Sequence, residues 1–108
     1  MPTDLSHRKA AVVADQSSAD AHLYLGQVLL QCGQTDDAVS ELETARSLRP
    51  NDSKILVNLG TAHAMNGKTQ DAILLLRESL EHDPEETTAL VNLGRLLLQE
   101  GQRAERYR

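Results

Sequence analysis

The chain has 108 residues, a length typical of one domain with a single small hydrophobic core. Its formal net charge of −5 argues against a general nucleic-acid surface, and its single cysteine, Cys32, excludes an intrachain disulfide. Because it has 18 Leu, 12 Ala and only two aromatic residues, its composition predicts an all-α fold and argues against a β-sandwich.

The predicted elements form helical hairpins. Residues 5–15 are predicted to form a helix that resembles the second half of a decayed hairpin and caps the next unit. Each hairpin that follows has a first helix, helix A, and a second, helix B. Helix A is predicted at 20–32, 54–66 and 88–100, and helix B at 35–48 and 69–82. Thr35 and Thr69 are predicted N-caps of helix B, and Asp52 is predicted to cap the second helix A.

All six glycines lie on one lattice, which indicates a repeat. They are 7 residues apart within a pair and 34 apart between pairs, and the sequence LVNLG at 56–60 recurs at 90–94. A fixed period of 34 is typical of stacked supersecondary units. The predicted divisions are an N-terminal half-unit at 1–18, repeat 1 at 19–52, repeat 2 at 53–86 and an incomplete repeat 3 at 87–108.

The glycines have two predicted roles. Gly33, Gly67 and Gly101 follow helix A, where a left-handed residue ends a helix at no Cβ penalty. The other three lie inside helix A, where glycine costs about 1 kcal/mol relative to alanine. We expect this cost to be offset by close approach of helix B, with Ala38 and Ala72 opposite.

The unit resembles the tetratricopeptide repeat. Repeat 1 carries Leu25-Gly26, Ala38, Leu42, Ala45 and Pro50 at the family's signature positions, and repeat 2 has the equivalent residues except for Ser79 in place of the second alanine. The resemblance implies a short right-handed α-solenoid of antiparallel helix pairs. It also implies that helix A lines a concave surface, which is the family's usual ligand site.

On a helical wheel, helix A has one arc facing helix B and a free arc opposite. The residues that pack on helix B are expected to include Leu25, Leu56, Leu59, Leu90 and Leu97. Peptide binding is expected on the free arc, at Leu23, Tyr24, Gln27, Val57, Asn58, Thr61, Met65, Val91, Asn92 and Arg95.

Asn58 and Asn92 are one repeat apart on this free arc. A carboxamide both donates and accepts hydrogen bonds, so two of them can bind successive peptide groups of an extended chain. The pair resembles the asparagine ladder of some tetratricopeptide proteins. The alternative, that both are simply polar residues on a solvated face, stays open because Tyr24 interrupts the row.

Some members of the family that this chain resembles bind the C-terminal tails of chaperones. The residues of this chain argue against that function. The clamp for such tails needs Lys, Asn and Arg at five positions, of which only Asn58 matches. Lys54 and Arg95 make the inner face mildly positive, which leaves an acidic or neutral peptide open as a ligand.

No catalytic, metal or cofactor motif is visible in the sequence. The four histidines have no ligand spacing with each other or with Cys32, which is expected to be a buried or half-buried filler. The longest aliphatic run, 73–76, is too short to span a bilayer, and residues 1–9 lack the pattern of a secretory signal. We therefore expect a cytoplasmic, non-catalytic protein without cofactor or metal that contacts neither nucleic acid nor membrane.

Repeat 3 lacks a recognisable helix B, so Leu96 and Leu97 are expected to be partly uncovered. An exposed apolar stripe is typical of an interface. Three explanations compete: an isologous homodimer, a module of a longer array or larger enzyme, or an extension of helix A over residues 103–108. The predicted function is a scaffold that binds a protein or peptide on the concave face. The alternatives are a targeting or regulatory module of a larger enzyme and a self-assembly unit.

Overall fold

A computed structural model describes the backbone of residues 4–106 and the side chains of residues 18–106. All regular structure in this part of the chain is helical, as the composition predicted. The helices are α1 (Asp4–Gln31), α2 (Thr35–Leu48), α3 (Ser53–Met65), α4 (Thr69–His82) and α5 (Thr87–Arg106). Each helix packs on the next, so the predicted all-α solenoid is confirmed. No helix within residues 4–106 combines the length and the apolar character needed to cross a membrane.

The turns inside the two hairpins depend on Gly33 and Gly67. Both adopt a positive φ, 77° and 79°, which a side chain would strain. The amide of Gln34 donates to the Leu29 carbonyl at 2.9 Å, and that of Lys68 donates to the His63 carbonyl at 2.8 Å. These bonds satisfy carbonyls that the helix ends leave without partners, as in a Schellman motif.

The helix starts agree only in part with the predicted caps. Asp52 caps α3, since its carboxylate accepts from the amides of Lys54 at 2.9 Å and Ile55 at 3.3 Å. Thr35 and Thr69 are not N-caps: each is the first residue of its helix, and the preceding residue provides no side-chain hydrogen bond. The hydroxyl of Thr35 points back to the Gly33 carbonyl at 3.4 Å, because the left-handed glycine turns the chain before the helix begins.

The core consists of two clusters that share α3 and α4. The first joins α1, α2 and α3 around Leu42, Leu56 and Leu59 and includes Leu75 of α4. The second joins α3, α4 and α5 around Leu76 and Leu96. Repeat 2 is therefore covered on both sides. Leu59 is buried in the cluster that contains α2 residues, whereas its equivalent in repeat 1, Leu25, has no earlier helix to contact among the described residues and is 46% exposed.

The structure accounts for Ser79, one of the departures of repeat 2 from the family pattern. It is fully buried, and its hydroxyl lies 2.7 Å from the hydroxyl of Ser53 and 3.0 Å from the Ser53 carbonyl. A buried hydroxyl is tolerated when it is hydrogen-bonded. The pair thus connects the start of α3 to the end of α4, where repeat 1 has the apolar Ala45.

The two chain ends differ from the sequence-based expectation. Helix α1 is continuous from Asp4, where a separate helix at 5–15 was predicted, because residues 5–25 contain neither glycine nor proline to end it. The predicted capping role of residues 1–18 rests on side chains up to residue 17, which lie outside the described residues.

At the other end, α5 continues to Arg106, so Gly101 does not end helix A as predicted. Gly33 and Gly67 are each followed, two residues later, by a threonine at the start of the next helix. Gly101 is followed instead by Gln102-Arg103-Ala104, all good helix formers. Because these residues favour a helix, residues 102–106 extend helix A.

Helix B approaches Gly26 and Gly60 closely, but mainly through leucines rather than through Ala38 and Ala72. A Cβ on Gly26 would lie 2.6 Å from Cγ of Leu42, and a Cβ on Gly60 would lie 3.2 Å from Cγ of Leu76 and 3.3 Å from the Ala72 carbonyl oxygen. A Cβ on Gly94 would meet nothing within 4 Å. At this family position the space for a Cβ is therefore occupied in repeat 1, tight in repeat 2 and open in repeat 3.

These distances predict a graded response to alanine. Gly94→Ala should stabilise the fold by about 1 kcal/mol, the helix-propensity difference. In Gly60→Ala a small shift of α4 should nearly cancel that gain. Gly26→Ala should be net destabilising by roughly 1–2 kcal/mol, because Leu42 has to move. Urea unfolding of the three variants at low protein concentration measures the order, and equal effects at all three positions would contradict it.

Candidate functional site

Two open clefts lie along α3 and α5 and meet at Thr61 and Asn92. The first has a volume of about 210 Å³ and the second about 410 Å³. The first is lined by Thr61, Ala64, Met65, Leu76, Asn92, Arg95, Leu96 and Gln99. The second is lined by Gln27, Lys54, Val57, Asn58, Thr61, Glu86, Thr88 and Asn92. Together they form one groove, called the inner groove below, that crosses the first helices of all three repeats.

A hydrogen bond between repeats fixes the point where the clefts meet. The carboxamide nitrogen of Asn92 donates to the hydroxyl of Thr61 at 3.1 Å, and that hydroxyl donates to the Val57 carbonyl at 2.9 Å. Asn92 keeps its second N–H and its carbonyl oxygen for other partners. The side chain is therefore oriented by the protein and still able to bind.

Asn58 is oriented in a different way. Its carboxamide nitrogen donates to the Lys54 carbonyl, one turn earlier in the same helix, at 2.8 Å. Both asparagines are half-buried and lie beside the same cleft. The structure thus brings the two predicted ladder residues into one groove, but holds them by different contacts.

Seven of the ten predicted binding residues line the inner groove. They are Gln27, Val57, Asn58, Thr61, Met65, Asn92 and Arg95. Their role in binding stays a prediction. Val57 contributes little surface, because it is buried in the second core cluster.

The other three predicted binding residues lie elsewhere. Leu23 is buried in the first core cluster, so its placement on a free arc was wrong. This position packs inward in repeat 1, as it also does at Val57 in repeat 2. Tyr24 is exposed outside both clefts. Val91 is exposed and lies about 100° around the α5 axis from Asn92, outside both clefts.

Leu96 lies in the core and not on the uncovered surface predicted for it. It was expected to be uncovered, but it is only 8% exposed and packs against α3 and α4 while lining the first cleft. Its equivalent in repeat 2, Ala62, is also buried. The equivalent in repeat 1, Val28, is 52% exposed, so the 34-residue correspondence alone does not place Leu96. Leu76 and Glu86, two other groove residues, come from α4 and a turn, which the helix A wheel could not reveal.

The groove carries two cations and one anion. Arg95 lies in the first cleft, and Lys54 and Glu86 lie in the second. The first cleft therefore has a positive field beside an apolar wall of Met65, Leu76 and Leu96.

Histidine, cysteine and acidic side chains are the usual metal ligands in proteins. Among residues 18–106 no group of three His, Cys, Asp or Glu side chains is placed to hold a metal ion. His22 is paired with Glu41, with 2.5 Å between Nδ1 and Oε2. Cys32 is exposed rather than buried or half-buried as expected, because it follows the last residue of α1 at the hairpin turn.

Comparison with known proteins supports the repeat. A family model described as tetratricopeptide repeat matches residues 17–85. Two solved structures titled as crystal structures of MamA are 25% identical in sequence over 86% of this chain, with TM-scores of 0.73 and 0.72. The chain covers 54% and 51% of those two chains, so it spans about half of their length. A comparison with curated protein sequences gives no significant match.

Proposed function

Because the chain belongs to the tetratricopeptide repeat family, we propose that it is a protein-interaction scaffold that binds an extended peptide in the inner groove. The observation that carries this proposal is the Asn92–Thr61 hydrogen bond. It joins two clefts from neighbouring repeats into one surface and leaves oriented amide groups facing it. The proposal assigns the chain no catalytic role.

The spacing of the two asparagines suits an extended main chain. Packed helices lie roughly 10 Å apart, and an extended chain advances about 3.3 Å per residue. Asn58 and Asn92 would therefore meet peptide groups about three residues apart. Each carboxamide can accept from the amide of one peptide group and donate to a carbonyl, which makes binding insensitive to ligand side chains.

Selectivity would come from the first cleft. Met65, Leu76 and Leu96 offer an apolar wall that suits one aliphatic or aromatic ligand side chain, and Arg95 lies at the same cleft. Methionine adapts its shape to different ligand side chains. We propose that the preferred segment has an apolar residue close to an acidic one.

Removing both amides should weaken binding without affecting the fold. The probe is a peptide selected from a displayed random library on the wild-type chain. Asn58→Ala combined with Asn92→Ala should reduce its affinity roughly 10- to 100-fold, the loss expected for two or more hydrogen bonds to peptide groups. Isothermal titration calorimetry measures the change, and unfolding curves verify that the variant is folded.

Asn51→Ala combined with Asn66→Ala is the matched control. Both residues are exposed in turns and line neither cleft, so peptide affinity should stay within about twofold of the wild type. Equal losses in the two double variants, or no loss in either, would refute the asparagine contacts.

The charge of the groove predicts a dependence on salt. Selected peptides should be acidic or neutral, and for acidic peptides the affinity should fall as ionic strength rises. Arg95→Glu should remove most of that salt dependence, whereas Arg77→Glu, on an exposed residue of α4 that lines neither cleft, should not. Selection of basic peptides would contradict the assignment.

A further inference from the structure

One side of α5 is apolar and uncovered. Leu90, Val91, Leu97 and Leu98 are 51%, 52%, 43% and 64% exposed, and Gly94 lies between them. At 100° per residue these five positions occupy one arc of about 120°, centred on Gly94. The arc, called the free α5 face below, is opposite the side on which Ala89 and Leu96 are buried.

The chain itself shows what covers such a face. In repeats 1 and 2 the equivalent glycines, Gly26 and Gly60, are each covered by a leucine of a neighbouring antiparallel helix, Leu42 or Leu76. Among the residues that the structure describes, no atom of a neighbouring helix lies within 4 Å of a Cβ placed on Gly94. The free α5 face is thus shaped for an antiparallel helix that presents a leucine to each glycine.

We propose that a second copy of this chain provides that helix, so that two α5 helices pack antiparallel about a twofold axis. Leu97 then lies over the partner subunit's Gly94, and Leu90 lies over the partner subunit's Gly101. In an antiparallel helix pair, the numbers of facing residues add up to a constant. The Leu97–Gly94 and Leu90–Gly101 pairs have the same sum, so one register gives both contacts. The twofold symmetry repeats each contact, which gives four leucine–glycine contacts in one isologous interface.

The charge distribution along α5 favours the same antiparallel orientation. The turn before α5 carries Asp83, Glu85 and Glu86, and its last turn carries Arg103, Glu105 and Arg106, a net charge of +1. Arg103 also pairs with Glu100 at 3.5 Å, so Arg106 is the main basic group of this end. Antiparallel packing sets the basic end of one copy beside the acidic turn of the other, whereas parallel packing would bring like ends together. The antiparallel order also places opposite ends of the two helix dipoles together.

One like-charge contact arises in this register. Glu105 is on the free α5 face, close to the angular position of Gly94, and would lie near the partner subunit's Glu86. The interface is also narrow, with about four large apolar side chains per copy. We therefore expect a weak dimer with a Kd on the order of 10–100 µM.

The dimer does not depend on the inner groove. Asn92 and Leu96 line the groove from the opposite side of α5, so both grooves stay open in the dimer. The two copies would present them on either side of the twofold axis, which doubles the number of peptides bound per particle.

Sedimentation equilibrium of the full chain over a range of concentrations tests the dimer. The wild-type mass should rise from monomer to dimer, and Leu97→Glu should weaken association roughly 30-fold or more by placing a charge in the apolar contact. Leu74→Glu is the matched control, since Leu74 is 66% exposed on α4, away from α5. It should associate like the wild type.

Several outcomes would overturn the proposal. A monomeric wild-type mass at about 1 mM, well above the expected Kd, would exclude the second copy and leave the face to another helix. A dimer that Leu97→Glu leaves intact, or one that Leu74→Glu also disrupts, would place the interface elsewhere. Unfolding curves of each variant separate lost association from lost folding.

Cross-linking tests the register. With Cys32→Ser as background, Leu90→Cys chains mixed with Gly101→Cys chains should form disulfide-linked heterodimers in preference to either homodimer. A predominance of the Leu90→Cys homodimer would indicate parallel helices and refute the arrangement.

Two further variants change the strength of association in opposite directions. Gly94→Ala should weaken the dimer, since its Cβ would meet the partner subunit's Leu97, although the same change stabilises the monomer helix. Glu105→Lys should tighten the dimer roughly fivefold, because a repulsion becomes an attraction at two symmetric sites. The opposite result for both would refute the register.

Discussion

The contact of a leucine with a glycine on the neighbouring helix is the interaction on which this structure depends. Leu42 packs over Gly26 and Leu76 over Gly60 at distances that no other residue at the glycine position would allow without movement. Each contact brings two helices close enough to bury the alanines beside them, and so sets the hairpin geometry. Because each hairpin is too small to bury its own apolar side, stacking on its neighbour follows.

That constraint explains what could be predicted from the sequence. The glycine lattice, the prolines after helix B and the LVNLG repeat each determine a local feature, and all agree on helical hairpins of one period. Most of the inner groove could be predicted as well, because Asn58, Thr61 and Asn92 occupy equivalent or adjoining arcs of regular helices. The family comparison gives the same repeat independently.

The errors have local physical causes. Leu23 and Leu96 were assigned to surfaces by a helical wheel, which describes one helix and not the helices packed against it. The cap assignments of Thr35 and Thr69 failed because a left-handed glycine, and not a side chain, controls the start of helix B. Helix α5 continues through Gly101 because the residues after it favour a helix, and the spacing of the glycines alone could not predict this.

The buried Ser53–Ser79 pair has a consequence for how such a chain can grow. Both serines belong to the same 34-residue unit, 53–86, so the hydrogen bonds between them need nothing from the flanking units. Tandem duplication of that unit would copy donor and acceptor together and leave no buried hydroxyl unpaired at the new junction. Duplication with a boundary between the two serines would separate them. The position of the duplication boundary therefore determines whether the buried hydroxyl keeps its hydrogen-bond partner. Duplication of residues 53–86 as one unit is the change that lengthens the solenoid without losing these bonds.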